Sequence, residues 1–323
     1  MLIKTISQEK IDKFKELIDN SQKIAISAHI DPDGDALGSS LSLRRSLEKY
    51  GKIAEVIKLS EIDDYLKFLP EIENYKDLSY DKYDLFIILD CSEFDRIDKA
   101  YKYVEKSKNT IVIDHHTGGK ISADLNIINS KSPATCELLF EIMERLNLPM
   151  DEIIASLIYT GLVTDTGRFL YSNISENTFK IAGKLFSYGA RTQEIYKNLY
   201  QNKPIKKMKF ETEVLSQAKI FKNIAFASIS ADLCKKFDVQ IGDSESIVNM
   251  LRDLETIELA CILKEYGPKE FKISLRSKEY IDVSEIARNN GGGGHVRAAG
   301  FTINADNIED ANAKIEEILK SVK

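Results

Sequence analysis

The sequence predicts an α/β protein with two domains: an N-terminal parallel sheet with helices on both faces, and a smaller α+β domain that follows it. Three observations support this prediction. The 323 residues exceed the length that one hydrophobic core usually serves. The N-terminal half alternates short apolar runs with segments of helical spacing, and such runs suit strands that are buried on both faces. Beyond residue 210 the pattern becomes typical of a mostly antiparallel sheet with helices.

Composition excludes several classes of function. The net charge of −6 argues against binding to long duplex nucleic acid, which favours a basic surface. No apolar run approaches the ~20 residues that span a bilayer, and the N-terminal residues lack the apolar core of a signal peptide. The four cysteines are scattered without a CxxC pair, as in proteins of a reducing compartment. We therefore expect a cytoplasmic protein without a membrane partner.

The first predicted helix is followed by a predicted βαβ unit. Apolar residues recur at helical spacing over residues 7–20, and a buried strand is predicted at 23–28. Helical spacing returns over 36–50, where Gly51 is placed as the C-terminal cap, and residues 52–59 supply the next strand. Strand, tight turn and helix in this order are typical of a parallel sheet.

Two further apolar runs, residues 84–90 and 110–113, are predicted strands that lead into acidic residues. Three predicted strands therefore finish in polar residues at their carboxyl ends, and that edge is where open α/β sheets bind ligands. Helical spacing then returns over residues 134–146, 151–164 and 176–200, the last of these broken at Gly189.

The best candidate for a linker is the polar, basic stretch 200–207, which contains one of only six prolines, and the domain boundary is expected within 185–210. The pattern beyond it alternates strands and helices. Strands are predicted at 218–221, 224–229, 258–264 and 271–276. Helices are predicted at 244–254, 283–289 and 307–321.

A concentration of metal-ligand residues follows the first predicted strand. Residues 29–35 hold one imidazole and three carboxylates around a Pro and a Gly, and so much negative charge in one turn is costly without a cation. Asp90, Asp165 and the Asp-His-His run 114–116 add ligands of the kind that hard or borderline divalent ions prefer. So many anionic ligands suit two ions that share a carboxylate, an arrangement that activates water and holds a phosphate. Taken singly, an aspartate after a strand is also a common helix cap or turn residue.

A second candidate site is the glycine run 291–294 with the histidine that follows it. Glycines leave the backbone N–H groups open to an anion, and His295 can donate to a phosphate. Arg276, at the end of a predicted strand, offers a planar fork for a terminal phosphate. A flexible loop and a surface strand residue are the alternative interpretations.

The chain resembles the DHH phosphoesterase superfamily, combined with the DHH-associated C-terminal domain. The resemblance covers essentially the whole chain and rests on motifs that occur in the expected order. These are HIDPDGDALGS (29–39), ILDCSEFDR (88–96), IDHHTGG (113–119), GLVTDTGRF (161–169), SLRSK (274–278) and GGGGHVRAAGF (291–301).

The resemblance implies a Rossmann-like DHH catalytic domain over residues 1–190, a linker over 191–210 and a substrate-binding domain over 211–323. It also implies two manganese ions, with magnesium or cobalt as alternatives. The expected ligands are His29 and Asp33 on the first ion, Asp35, His115 and Asp165 on the second, and Asp90 between them.

The resemblance further implies roles for residues beside the metals. His116 is expected to contact the scissile phosphate or the nucleophile, and Asp114 to orient the histidine pair. Asp31 occupies a position where related enzymes often carry Asn, and it is not expected to be a ligand. Substrate binding is assigned to Arg276, Gly293, Gly294 and His295.

Within the superfamily, the sequence is most similar to stand-alone enzymes that degrade very short RNA oligonucleotides (nanoRNA) to mononucleotides and dephosphorylate 3′-phosphoadenosine 5′-phosphate to AMP. The resemblance thus implies a phosphoesterase that acts on short RNA and nucleotide phosphates. A cyclic or linear dinucleotide phosphodiesterase, acting on cyclic di-AMP or pApA, is the alternative, and a non-catalytic nucleotide sensor is a third. The sequence leaves the preferred substrate and a homodimer open.

Overall fold

The computed structural model describes residues 3–116, 119, 121–171 and 173–322. The chain divides into two compact units, Met1–Asn202 and Lys203–Lys323. Each unit contains one six-stranded sheet.

The sheet of the first unit is parallel throughout, with the strand order β3-β2-β1-β4-β5-β6. Because the order reverses beside β1, a crevice forms at the carboxyl ends of the central strands. This sheet confirms the predicted α/β class. Its strands are β1 Lys23–Ser27, β2 Ile53–Ile57, β3 Tyr75–Lys76, β4 Leu85–Leu89, β5 Asn109–Asp114 and β6 Leu125–Ile128.

The helices of the first unit are α1 Gln8–Asp19, α2 Gly34–Lys49, α3 Tyr101–Val104, α4 Thr135–Arg145, α5 Glu152–Asp165, α6 Glu176–Ser187 and α7 Thr192–Tyr200. The larger core lies on the sheet face that α1, α2, α4 and α5 cover. Shorter segments, which include Ile97, Ala100 and Ile121, cover the other face. The two central strands are thus buried on both faces, which explains their continuous apolar runs.

The second unit is an α+β domain, as predicted, with the strand order β11-β12-β10-β9-β8-β7. β8 and β9 pair in parallel, and the other neighbours are antiparallel. Its strands are β7 Lys219–Phe221, β8 Ile224–Ile229, β9 Leu259–Gly267, β10 Glu270–Ser277, β11 Gly293–His295 and β12 Ala298–Asn304. Its helices are α8 Ile205–Ser216, α9 Ala231–Phe237, α10 Glu245–Arg252, α11 Val283–Asn289 and α12 Ile308–Ser321.

The two faces of this second sheet differ. β10 alternates partly exposed and buried residues, and its buried side belongs to a core formed with α11 and α12. On the opposite face, α8 and α10 pack over β8 and β9. Arg276 projects on this opposite face, because Leu275 beside it is buried in the core.

Several elements escape prediction from the sequence. Helix α8 begins within the segment expected to be a linker and was not predicted, because its apolar positions Phe210 and Val214 are widely spaced among polar residues. Helix α7 also lies in that segment, but it falls within the helical pattern predicted over 176–200. Strands β11 and β12 lie in a segment rich in glycine and alanine, which has no clear alternation.

The cysteines are part of the packing. All four are buried, and none forms a disulfide. Burial raises the pKa of the Cys136 and Cys261 thiols, so both remain protonated core side chains. Among the helices that the structure describes, none combines the length and the apolarity needed to cross a membrane.

Candidate functional site

Three neighbouring strands deliver the predicted metal ligands to one edge of the parallel sheet. β1, β4 and β5 are adjacent, and candidate ligands follow each of them: His29 after β1, Asp90 after β4, and the Asp-His-His run that begins at Asp114, the last residue of β5. Helix α5 contributes its last residue, Asp165. Because carboxyl ends of parallel strands share an edge, residues far apart in sequence meet here.

Among the described residues, three groups of side chains at this edge could each hold a cation: Asp90 with His115 and His116, and two others that share no residue and contain the six predicted ligands. Of these two, one comprises His29, Asp33 and Asp90, the other Asp35, His115 and Asp165, and in each group the ligand atoms lie within 4.8 Å of one another. Asp90 connects these two groups, because its Oδ2 is 3.4 Å from His29 Nε2 and its Oδ1 is 3.5 Å from His115 Nε2. The structure brings together all six residues that the sequence predicts as ligands.

Both histidines direct a ring nitrogen at carboxylates. The Nδ1 of His115 lies 3.3 Å from the carbonyl oxygen of Ser132, which assigns the ring proton to Nδ1. Its Nε2 is buried and makes no hydrogen bond among the described residues, although Asp165 Oδ2 is only 3.1 Å away. In His29, Nδ1 is 2.7 Å from the carbonyl oxygen of Ile30, which leaves Nε2 for the cation group. A lone pair that faces a carboxylate is repelled, and a cation between them would turn this repulsion into coordination.

The carboxylates also repel one another. Desolvation by burial raises the pKa of Asp35, Asp90 and Asp165, and the neighbouring negative charges of Asp35 and Asp33 raise it further for Asp90 and Asp165. Buried carboxylates of this kind either take up protons or bind cations. The four carboxylates and two imidazoles in the two groups are ligands that suit divalent ions, and so the donor set fits the predicted metal pair.

Thr135, which was not predicted as a site residue, contacts two of the predicted metal ligands. It opens α4, where its N–H donates to Asp35 Oδ2 at 2.6 Å and its hydroxyl donates to Asp90 Oδ1 at 3.0 Å. The N–H of Cys136 donates to the other oxygen of Asp35 at 2.9 Å. The N-terminus of α4 therefore stabilises the Asp35 carboxylate, and Thr135 links the two cation groups. The available signal was its place in the first turn of a predicted helix, whose N–H groups lack partners within the helix.

The aspartates of the first motif have different roles. Asp33 caps α2, since its Oδ1 accepts the N–H groups of Asp35 and Ala36, both at 3.0 Å. This cap fixes the side chain and leaves its second oxygen for a cation. Asp31 is exposed, donates its N–H to the Ser60 hydroxyl and belongs to none of the ligand groups found among the described residues.

Asp114 and His116 form a pair, and His116 also belongs to the group with Asp90 and His115. Asp114 Oδ1 lies 3.0 Å from the backbone N of His116, which donates to it, and 2.7 Å from Nδ1 of the same ring. Burial would raise the pKa of Asp114, but these hydrogen bonds lower it, and the carboxylate stays ionised. The pair orients the His116 ring, whose Nδ1 is 3.6 Å from Asp90 Oδ1.

In the second unit, Arg276 and His295 border a shallow surface. Both are paired with Ala298 of β12, Arg276 from β10 and His295 from β11. Directly paired residues project on the same face, and Ala298 is too small to fill the space between the two larger side chains. In the next row on that face, Gly293 pairs with Gly300 and adds no side chain. An arginine and a histidine therefore flank an open surface of small residues.

Local geometry explains why three positions of this run are glycine. Gly291 and Gly294 have φ values of +79° and +136°, where side chains are rarely accommodated. A side chain at Gly292 would overlap the carbonyl oxygen of Gly300. Gly293 is different, because an added Cβ would meet nothing within 4 Å. Packing within this unit does not explain the missing side chain at Gly293, and its absence keeps the surface open.

The segment after Arg276 is fixed from two sides. The buried carboxylate of Glu258 accepts the N–H groups of residues 279–281 at 2.8 to 3.0 Å. Arg297 donates from Nη1 to the carbonyl oxygen of Ile281 at 2.8 Å. Glu258 and Arg297 thus hold the loop, and this use of Arg297 makes it a structural residue.

Comparison with known proteins identifies the family. The N-terminal domain of the DHH family matches residues 23–162, and the DHHA1 domain matches residues 222–321. The structure of an exopolyphosphatase-related protein from Bacteroides fragilis is 30% identical and superposes with a TM-score of 0.92, covering 99% of this chain and 98% of that one. The chain belongs to the DHH family.

Two curated relatives of this DHH protein share one name, bifunctional oligoribonuclease and PAP phosphatase NrnA. The relative from Thermus thermophilus is 29% identical over 300 residues, which cover 92% of this chain and 89% of the relative. The relative from Bacillus subtilis is 27% identical over 302 residues, which cover 92% of this chain and 95% of the relative. A RecJ structure in complex with Mn²⁺ from Thermus thermophilus is 17% identical, has a TM-score of 0.58 and covers 97% of this chain and 54% of that one, which shows a shared fold alone.

These comparisons make the DHH protein a hydrolase of phosphoester bonds. They agree with the chemistry of the site, in which crowded carboxylates and imidazoles require cations. Family and site together indicate that the enzyme uses divalent metal ions.

Proposed function

We propose that the protein cleaves very short RNA oligonucleotides to mononucleotides and removes the 3′ phosphate of 3′-phosphoadenosine 5′-phosphate. The observation that carries this proposal is the two-cation edge of the first unit, in which Asp90 faces both His29 and His115. Two features add support. The second unit has an open surface suited to a nucleotide phosphate, and the names of the curated relatives combine both activities.

Six residues hold the proposed metals. His29, Asp33 and Asp90 would hold one ion, and Asp35, His115 and Asp165 would complete the second together with Asp90. When bound, two divalent cations supply Lewis-acid activation of water and neutralise charge on the phosphoryl oxygens. We propose manganese for both positions because the donor set combines oxygen with nitrogen, and magnesium or cobalt are the alternatives.

The other residues bind and orient the substrate. Asp114 fixes the ring of His116, which would donate to an oxygen of the scissile phosphate. Arg276 would bind the terminal phosphate of the nucleotide through its planar fork, and His295 would donate to the same nucleotide. The empty position at Gly293 gives the ligand access to the sheet surface.

The test is a substrate panel with metal-stripped protein to which Mn²⁺, Mg²⁺ or Co²⁺ is added. We expect conversion of 3′-phosphoadenosine 5′-phosphate to AMP and phosphate, and of pApA to AMP, with chromatography of the products as the measurement. Turnover of cyclic di-AMP alone would contradict the proposal and support the cyclic dinucleotide alternative, which the names of the relatives do not favour. Nucleotide binding without any hydrolysis would instead support the sensor.

A further inference from the structure

The turn after α5 has an unusual backbone. Gly167, Arg168 and Phe169 have φ values of +55°, +65° and +63°, three successive residues in the left-handed region. Glycine adopts this conformation readily, whereas it strains an arginine or a phenylalanine. The N–H of Arg168 donates to the Val163 carbonyl at 2.8 Å, and the N–H of Phe169 donates to the Thr166 hydroxyl at 3.0 Å. Strain that is maintained in this way is typical of positions that hold a functional side chain.

The strained turn presents a cation that has no acidic partner in the described part of the chain. Arg168 is exposed, and its guanidinium lies over the ring of Tyr200, 5.0 Å from the ring centre. No carboxylate of the described residues lies within ion-pair distance of Arg168. The arginine is only three positions beyond Asp165, a proposed metal ligand. It is therefore available to an anionic ligand near the metals.

Tyr65 places this pair of side chains beside the metal centre. Tyr65 lies in the short 3₁₀ helix Asp64–Leu66, which packs against α7, the helix that ends at Tyr200. Desolvation raises the pKa of Tyr65, and the negative charges of Asp33, Asp63 and Asp165 raise it further, which agrees with a position near the cation groups. Tyr65 is nevertheless 45% exposed, which leaves a face of its ring open.

The two proposed substrates differ in what their scissile phosphate carries. In 3′-phosphoadenosine 5′-phosphate the scissile phosphate is terminal, whereas in a dinucleotide the same phosphorus carries a second nucleoside. Residues that bind only the second nucleoside must therefore lie beside the metal centre. Exposed aromatic rings stack on bases, and a guanidinium binds the sugar-phosphate backbone.

We propose that Tyr65, Arg168 and Tyr200 form a subsite of the first unit that binds the nucleoside carried on the scissile phosphate of an oligonucleotide. This inference rests on the proposed function and deepens it, because it assigns to separate residues the choice between oligonucleotide and bisphosphate. The tyrosine rings stack on the base, and Arg168 donates to the ribose hydroxyls of the same nucleoside.

The first test compares Arg168→Gln and Tyr200→Leu with two control variants on the same unit. Arg191→Gln alters an exposed arginine that pairs with Glu152, and Tyr188→Leu alters an exposed tyrosine. In Tyr200→Leu we expect KM for pApA and pApApA to rise by a factor of about 5 to 100, the range for loss of one stacked base. In Arg168→Gln we expect a rise of at least about fivefold, because charge-assisted hydrogen bonds are lost. KM for 3′-phosphoadenosine 5′-phosphate should change less than about twofold. Equal loss on both substrate classes, or oligonucleotide kinetics like those of the controls, would overturn the subsite.

A binding measurement separates failure of the subsite from failure of the proposed function. Calorimetric titration of pApA is carried out with Ca²⁺ as the cation, and chromatography verifies that no product forms. Weaker binding of pApA to Arg168→Gln, with unchanged binding of 3′-phosphoadenosine 5′-phosphate, supports the subsite even when the wild type hydrolyses neither ligand. Equal affinity of wild type and variant for pApA overturns it whatever the activity.

A third variant, Arg168→Gly, separates a binding role from a structural one. Glycine relieves the strain at φ +65°, and we expect the melting temperature to stay equal or rise while oligonucleotide affinity falls. A lower melting temperature with unchanged affinity would show that Arg168 only supports the fold, and would overturn the proposal.

Discussion

Asp90 links the two cation groups through its backbone conformation as well as its side chain. It follows β4 directly with φ +56°, a left-handed value that aspartate and asparagine tolerate better than most residues. Its two oxygens accordingly face His29 on one side and His115 on the other. The substitution Asp90→Asn preserves shape and conformation and removes only the charge that two cations would share.

We expect Asp90→Asn to lower kcat/KM for 3′-phosphoadenosine 5′-phosphate at least about 100-fold and to abolish the thermal stabilisation by Mn²⁺. Without metal, the variant should melt at a higher temperature than metal-free wild type at pH 7, because one buried, repelling charge is gone. Scanning calorimetry with and without Mn²⁺ and a phosphate-release assay measure these effects. The matched control is Asp31→Asn, which has a similar φ of +53° and an exposed side chain. Undiminished hydrolysis by the Asp90 variant would refute the two-cation assignment.

Alanine substitutions at Gly293 and Gly294 test whether a nucleotide binds over the glycine run. Alanine at Gly294 must adopt φ +136° against Ala299, and we expect a loss of about 1–3 kcal/mol in the free energy of unfolding. An alanine Cβ at position 293 has no atom within 4 Å, so the free energy of unfolding should stay unchanged. KM for 3′-phosphoadenosine 5′-phosphate should rise at least about fivefold, because the methyl group occupies the surface where the ligand would bind. Urea unfolding and initial-rate kinetics on both variants are the measurements. Unchanged KM in Gly293→Ala would show that no ligand approaches this position.

Single residues were predictable from the sequence where they belong to local motifs. The six ligands and the pair Asp114 and His116 all follow strands or end a helix within short, recognisable runs. Thr135, Tyr65 and Arg168 were not predictable from the sequence, because their proposed roles depend on neighbours that are distant in sequence. Thr135 donates to Asp35 and Asp90, which lie 100 and 45 residues before it in the chain.

At the scale of elements, the two aspartates that flank β4 have pKa values shifted in opposite directions. Asp84, just before the strand, accepts a hydrogen bond from the Lys108 ammonium and from the N–H groups of Lys23 and Gln22, which lower its pKa to about 2. Burial raises the pKa of Asp90, just after the strand. One end of β4 thus stabilises the sheet, and the other is destabilising until a cation binds.

The pKa of Asp84 predicts a pH-dependent contribution to stability. Because the folded pKa lies below the unfolded value of about 3.9, the carboxylate stabilises the fold above pH ~4, and this contribution is lost as the pH falls towards about 2. Asp84→Asn should cost about 1–2 kcal/mol in the free energy of unfolding at pH 7, and the difference from wild type should narrow below pH ~4. Urea unfolding over this range measures it, with Asp81→Asn, an exposed aspartate of the same loop, as the control. A difference independent of pH would show that ionisation of Asp84 is irrelevant.

The contact between α2 and α5 positions Asp35. A Cβ at Gly38 would lie 2.5 Å from the Leu157 carbonyl oxygen, and one at Gly161 would lie 2.7 Å from Asp35 Oδ1. The two helices therefore approach each other at glycines, and Asp35 lies against the Gly161 backbone. Any side chain at position 161 must displace a proposed metal ligand.

We expect Gly161→Ala to lower the free energy of unfolding by about 1–3 kcal/mol and to weaken Mn²⁺ binding, because Asp35 cannot keep its place. The matched control is Gly183→Ala in α6, an exposed helical glycine whose added Cβ meets nothing, and it should stabilise by about 0.5–1 kcal/mol. Chemical unfolding and metal titration measure both variants. Wild-type metal affinity in Gly161→Ala would show that the helix contact does not position the ligand.

Elements were predictable in proportion to their burial. β1, β4 and β5 are buried on both faces, and their apolar runs identify them at once. β6 and β11 lie at sheet edges, and β12 includes Ala298 and Gly300, so none of them shows a strong pattern. Helix α8 begins directly after Pro204 in a polar segment, and its helical character depends on packing of Phe210 and Val214 in the second unit.

At the scale of the whole molecule, we propose that the metal ligands and the residues that bind the terminal phosphate belong to different units. Every proposed metal ligand belongs to Met1–Asn202, whereas Arg276, Gly293 and His295 belong to Lys203–Lys323. The first unit concentrates negative charge that cations must neutralise, and the second presents cationic and hydrogen-bonding groups on an open sheet face. Changes to the second unit should therefore affect substrate binding without altering metal binding.

Arg276→Gln tests this division of labour. We expect KM for 3′-phosphoadenosine 5′-phosphate to rise about 10- to 100-fold, because charge-assisted hydrogen bonds to a phosphate are lost. The Mn²⁺-induced rise in melting temperature should equal that of wild type, since no ligand group includes Arg276. Lys272→Gln is the matched control, because Lys272 lies on the same face of β10 and its ammonium lies over the Tyr266 ring. A loss of Mn²⁺ stabilisation in Arg276→Gln, or a KM equal to that of the Lys272 variant, would show that binding and chemistry are not divided between the units in this way.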